Sequence, residues 1–261
     1  MKFYRSYKWL LPVLLLCCCI QANAQVDLGV RGGISIPNLT AGGSESNPLN
    51  TGYSSRQGPD FGILGEYHIS KLFSIEAMIS YSSQGGKKEG IQAFPFPREM
   101  AGALPPSVPP PTYLYADFKS QAKLNYLMVP ILAKFGWNLG HTSPLRLYVD
   151  AGPFFGFLLS AKQVTSGSSI LYLDEEGKQP ITQQPQSFDK TTDIKDQLHT
   201  FNVGVSGNLG LAYIFGRHQV FVEGGGNYGF LNIQEGSANG KNNTGAATAS
   251  IGYAYRICNK K

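Results

Sequence analysis

Cysteine is scarce: 4 of the 261 residues, of which Cys17, Cys18 and Cys19 precede Gln25 and only Cys258 follows it. A lone cysteine excludes an intrachain disulfide framework and a cysteine-based zinc site. Histidine is as rare, at 4, and His68, His141, His199 and His218 share neither helical nor hairpin spacing, so no metal centre is expected. Long apolar runs are absent after Ile20, which excludes a later transmembrane helix of ~20 residues. Charge is sparse as well, at 15%, with a net +5 that falls to +2 once Lys2, Arg5 and Lys8 are set aside. That balance leaves no footprint for nucleic acid. Gly204-x-x-Gly207-x-x-Gly210 and Gly224-Gly225-Gly226 precede no helical pattern and match no phosphate-binding loop, so no cofactor is expected.

Residues 1–24 have the parts of a cleaved signal peptide. Basic Lys2, Arg5 and Lys8 lead into the apolar stretch Leu10 to Ile20, and Ala22-Asn23-Ala24 supplies an A-x-A cleavage site. Leu14-Leu15-Leu16 ahead of Cys17 lack the small residues of a lipobox, which argues against a lipoprotein. Residues 25–261 then form the mature domain.

The stretch from Leu124 to Ser160 organises that domain. Leu127, Val129, Ile131, Ala133, Phe135 and Trp137 fall on one face of a period-two pattern, and Tyr126, Met128, Pro130, Leu132 and Lys134 on the other. After the polar turn at 138–143, Leu145, Leu147, Val149, Ala151, Pro153, Phe155, Phe157 and Leu159 share a face opposite Arg146, Tyr148, Asp150, Gly152, Phe154, Gly156 and Leu158. Alternation marks strands with two unlike surroundings. An uncharged apolar face this long, with aromatics near its ends, suits a strand crossing a bilayer in roughly 9–11 residues.

The same alternation recurs in six further segments: 26–36, 60–69, 73–82, 201–215, 220–230 and 247–257. Long connections at 37–59, 85–119, 161–199 and 232–244 alternate with short turns at Ser70-Lys71, 138–143 and Gly216-Arg217-His218. Eight strands with strictly alternating connections predict an all-β, eight-stranded antiparallel up-and-down transmembrane β-barrel. Its long loops would be extracellular and both termini periplasmic. The expected location is the cell outer membrane of a Gram-negative bacterium. The partners are then outer-membrane lipid, the barrel-assembly machinery during insertion, and an envelope or secretion-system protein.

Nearly every charge within the strands has the inward phase: Asp27, Arg31, Glu66, Glu76, Lys134, Arg146, Asp150, Glu223 and Arg256. A charge facing hydrocarbon costs several kcal/mol, whereas charges in a shared lumen can pair. An eight-stranded barrel has interior room mainly for side chains. These nine residues are therefore expected to form a structural, salt-bridged plug. Lys134, Arg146, Glu66 and Glu76 are expected to form one cluster near the short turns, with Arg146 gripping Glu76.

Several segments together resemble the PorT-like family of outer-membrane β-barrels. They are Leu28-Gly29-Val30-Arg31-Gly32-Gly33, Asn125-Tyr126-Leu127-Met128-Val129-Pro130 followed by Lys134, Ala151-Gly152-Pro153 before aromatics, and the glycine-rich strand at 204–213. Where that family often carries an acidic residue in its fourth strand, this chain has Met128. The resemblance implies a non-enzymatic barrel acting as a structural or interaction component, with a link to protein secretion. Two alternatives stand beside it: an outer-rim lipid-modifying enzyme, and a small-molecule binding or transport barrel. His199 is the one histidine near the outer rim, and no catalytic residue is assigned. The proline-rich run at 105–111 and the acidic residues of 161–199 are expected to be solvated loop.

Overall fold

The computed structural model describes residues 25–97, 109–140, 142–236 and 239–258. The signal-peptide segment 1–24, residues 105–108 of the proline-rich run, His141 and residues 259–261 lie outside them.

Eight long strands close into a ring. They are β1 (Gln25–Thr40), β2 (Gly58–His68), β3 (Phe73–Lys88), β6 (Lys119–Asn138), β7 (Leu145–Ser166), β11 (Phe201–Phe215), β12 (His218–Gly229) and β13 (Asn243–Cys258). Each pairs antiparallel with its sequence neighbours, and β13 pairs with β1 to complete the circle. Closure leaves no unpaired edge, the condition for placing strands in lipid.

The alternation seen in the sequence is the alternation in space. Leu28, Val30, Ile63, Ile79, Ile131, Val149, Leu209, Val222 and Ile251 are exposed around the outside. Their in-phase opposites, including Tyr126, Tyr148 and Phe154, are at most 2% exposed and fill the interior. Aromatic pairs mark both rims of the apolar belt: Phe61–Tyr81 and Phe157–Phe201 towards the long loops, Phe73–Phe135 and Tyr213–Phe215 towards the short turns. Such girdles sit where a bilayer meets water.

Two large aromatics lie over the inner wall of the barrel because a glycine stands beside each in register on the neighbouring strand. A Cβ built on Gly210 would stand 2.1 Å from the Tyr148 ring, and one on Gly252 would stand 2.1 Å from Phe221. Any larger residue there would displace the ring from the core it forms with Leu64, Met78, Ala212 and Ala254.

β6 and β7 run for 20 and 22 residues, about twice what a bilayer crossing needs. Their surplus rises above the belt on the long-loop side. There Pro109, Pro110, Glu175, Glu176, Asp189, Asp193 and Asp196 are exposed, as expected of solvated loop, but the connections around them carry short strands of their own. β4 (Ile91–Pro95) pairs with β5 (Tyr113–Asp117), β8 (Ser168–Ser169) with β9 (Gln186–Ser187), and β10 (Lys190–Asp193) with β7. Leu114, Ala116, Phe118 and Leu171 form a separate buried core with Phe94 and Phe188 packed on it. Apolar residues in these loops alternate over only a few positions each. The burial that orders them comes from two connections packing together.

Candidate functional site

The lumen is the most densely organised polar region, and all nine charged residues read as inward do point inward. Asp27, Glu66, Glu76, Lys134, Asp150 and Glu223 are buried, Arg31 is nearly so, and Arg146 and Arg256 are partly buried. They divide into linked groups rather than one cluster.

The group nearest the short turns spans the β13–β1 seam. Arg256 donates from Nε and Nη2 to Asp27 Oδ1 and Oδ2 at 2.7 and 2.9 Å. His68 Nε2 lies 2.9 Å from Asp27 Oδ2, and His68 Nδ1 lies 3.6 Å from Glu66. Beside it, Glu66 and Glu76 face each other in register across β2 and β3. Two adjacent carboxylates repel unless a cation joins them. Lys134 does so, donating to Glu66 Oε2 at 3.0 Å and Glu76 Oε2 at 2.7 Å, with its ammonium 4.1 Å from the Tyr148 ring centroid. Ser74 adds a donor to Glu66 at 2.6 Å.

A third group lies higher. Arg31 pairs with Glu223 and, at 3.1 Å, with Asp60. Tyr148 Oη and Ser250 Oγ also donate to Glu223, at 2.9 and 3.0 Å. Above these pairs, Tyr126, Met128, Phe154, Leu158 and Leu124 form an apolar plug together with Leu39, Leu198 and Ile233 from the strand ends and loops.

The expected pairing of Arg146 with Glu76 does not form. The Arg146 guanidinium lies across Gly136, whose added Cβ would meet Nε at 2.3 Å, and its Nη2 finds no acceptor among the described residues. Lys134 sits on β6 beside β3 and reaches both carboxylates first. Asp150 stands opposite Lys134 in register yet accepts from Asn208 at 2.8 Å instead, its other oxygen meeting no donor among the described residues. Sequence reasoning missed Asp60 and His68 as members. Both share the inward phase of Leu64 and Glu66, a signal present in the alternation but obscured by their positions at strand ends.

Asp27, Glu66 and His68 also offer ligand atoms within 4.8 Å of one another. Arg256 and Lys134 already occupy the two carboxylates, so a metal ion would have to displace two protein cations. In the long connection at 161–199, Asp174 accepts from the backbone N–H groups of Lys178 and Gln179, which holds its carboxyl below the usual aspartate range. The carboxylate thus closes a local turn.

A closed eight-stranded ring with an apolar outer belt and a paired, charged interior defines a membrane-spanning β-barrel protein. The family model described as outer membrane protein beta-barrel domain matches residues 21–235, and the chain belongs to that family, a bacterial outer-membrane β-barrel. Among solved structures it is similar to Neisserial surface protein A, at 12% identity and TM-score 0.36, covering 88% of this chain and 97% of that one. It is also similar to Ail, the attachment invasion locus protein of Yersinia pestis, at 11% and 0.37, covering 88% and 98%. OprG from Pseudomonas aeruginosa matches at 13% and 0.38, covering 92% and 99%. A search of curated proteins finds no match.

Proposed function

We propose that this barrel is a non-enzymatic, closed-lumen component of the outer membrane that acts through its long-loop face. The best-fitting role is structural or adaptor work of the PorT-like kind, linked to protein secretion. The observation that carries this reading is the contrast between the two parts of the molecule. The lumen is occupied by buried aromatics and ion pairs, while the long connections fold into a cap with its own apolar core. An ordered cap costs conformational entropy, and that cost is understandable in a surface that must keep its shape for a partner. In this reading the cap faces outward and both termini face the periplasm, as short turns and long loops do in bacterial barrels generally.

The rim supports the non-enzymatic reading. His199 stands 3.7 Å from Glu235, both side chains about half exposed, an arrangement suited to a solvated surface contact. Cross-linking in intact outer membrane, followed by purification of the barrel, tests the role. Recovery of a defined envelope or secretion component, lost when 170–188 is replaced by a short glycine-serine linker in a barrel that still folds, would support it. Recovery unchanged by that replacement would place the interaction elsewhere.

A further inference from the structure

All four long connections converge on one cavity of about 270 Å³ above the apolar plug, close to the lower end of small-molecule sites. Leu49 and Asn50 come from the first connection, Gln92 and Phe94 from the second, Gln197 from the third and Gln234 from the fourth. We propose that this cavity binds a neutral saccharide of one or two rings. The proposal is independent of any secretion role.

The donor and acceptor pattern carries the argument. Gln92 donates its amide to the Phe118 carbonyl at 2.5 Å, Gln234 to Asn242 Oδ1 at 2.9 Å and Gln163 to Ser120 Oγ at 3.2 Å. Asn242 in turn donates to the Thr40 carbonyl, which fixes the orientation of the Gln234 amide. Each NH₂ group makes one bond to protein and keeps a second N–H, and each amide carbonyl oxygen has no partner among the described residues. Amides that offer both a free acceptor and a free donor suit a ligand rich in hydroxyl groups, which donate and accept. Phe94 and Phe118 supply apolar ring surface beside those acceptors, suited to the C–H face of a sugar.

Charge narrows the class. Among the described residues no carboxylate lines the cavity, so none there attracts a cation. Lys88 is the one cationic residue lining it among the described residues, and its ammonium is already held by the Leu49 carbonyl at 2.8 Å, the Pro48 carbonyl at 3.4 Å and the Tyr53 ring at 4.6 Å. Burial also pulls this ammonium down to about 8, so near neutrality it stays mostly protonated, with its charge met by those two carbonyls and the ring. An anion is therefore not required to balance the site.

Saturation-transfer NMR on the barrel in nanodiscs tests the proposal with glucose, galactose, N-acetylglucosamine, lactose and glucose 6-phosphate as probes. Transfer to the ring protons of at least one neutral sugar is expected. It should vanish in Ala122→Trp, which fills the cavity, and fall severalfold in Gln163→Leu, which keeps size but removes the acceptor. Both variants should keep heat-modifiable gel migration as proof of folding. If Ala122→Trp does not fold, Gln163→Leu decides: a drop supports the site and unchanged transfer overturns it. The proposal is also overturned by no transfer from any neutral sugar, by full transfer in a folded Ala122→Trp, or by glucose 6-phosphate binding more than about tenfold tighter than glucose.

Discussion

Arg256, on the last strand, grips Asp27, on the first, through two parallel hydrogen bonds of 2.7 and 2.9 Å, so the barrel is fastened across its closing seam by a bidentate ion pair. The guanidinium fork matches a carboxylate in a way that lysine cannot. Arg256→Met should strand the buried Asp27 and lower stability by about 3 kcal/mol, the low end for a broken buried pair because the arginine keeps some solvent contact. Arg256→Lys should fall between. Urea unfolding in detergent micelles reads both; equal stability of the methionine variant and wild type would mean the seam is held by backbone pairing alone.

Lys134 is the cation whose loss should hurt most. Lys134→Met leaves Glu66 and Glu76 facing each other without a counter-charge, a cost of about 3–5 kcal/mol. Adding Glu76→Gln to Lys134→Met should recover part of that loss. Arg146→Met, by contrast, removes a guanidinium with no hydrogen-bonded partner among the described residues and should change stability by about 1 kcal/mol or less. A ranking in the opposite order would show that Arg146, and not Lys134, holds the carboxylates in the folded barrel.

Conductance follows from the packing of the lumen. Tyr126 and Phe154 close the upper interior and Tyr148 the lower, each at most 2% exposed. Reconstituted into planar bilayers, the protein should show no large stable conductance. Phe154→Ala combined with Tyr126→Ala should introduce small, flickering openings. Porin-like steps from the wild type would contradict a filled lumen.

The cap gives a pH dependence through Lys88, which lies above the lipid-facing belt. Its ammonium is pulled down to about 8 by burial, well below a free lysine. At pH below 8 both folded and unfolded chains carry the proton, and the folded state bears the full desolvation cost. Between about 8 and the ordinary lysine value of 10.5 the unfolded chain binds more protons, so stability rises with pH. Cap stability, followed by protease nicking within 85–119 between pH 7.5 and 9.5, should therefore increase in wild type more than in Lys88→Met. Equal pH slopes would remove Lys88 as the cause.

Topology is tested on whole cells. Epitope tags in the connections at 41–57 and 170–188 should be reached by antibody, and a tag at 216–217 should be protected until the outer membrane is opened. Labelling of 216–217 on intact cells would reverse the orientation proposed for the termini.

The sequence by itself determined the strand count, the inward and outward faces and the ring. Side chains on a strand alternate strictly, so an apolar face opposed to a charged one, repeated eight times, admits one closed arrangement in lipid. The phase of Asp27, Glu66 and Lys134 was legible for the same reason. Which charges bond was not, because pairing depends on reach across neighbouring strands. Lys134 stands in register with Asp150 yet bonds two glutamates on β2 and β3, while Arg146 is held flat against Gly136. The cap and its cavity were hidden for a related reason. Phe94, Phe118, Leu171 and Phe188 are separated by polar, glycine- and proline-containing sequence, and only the packing of two distant connections brings them into one core.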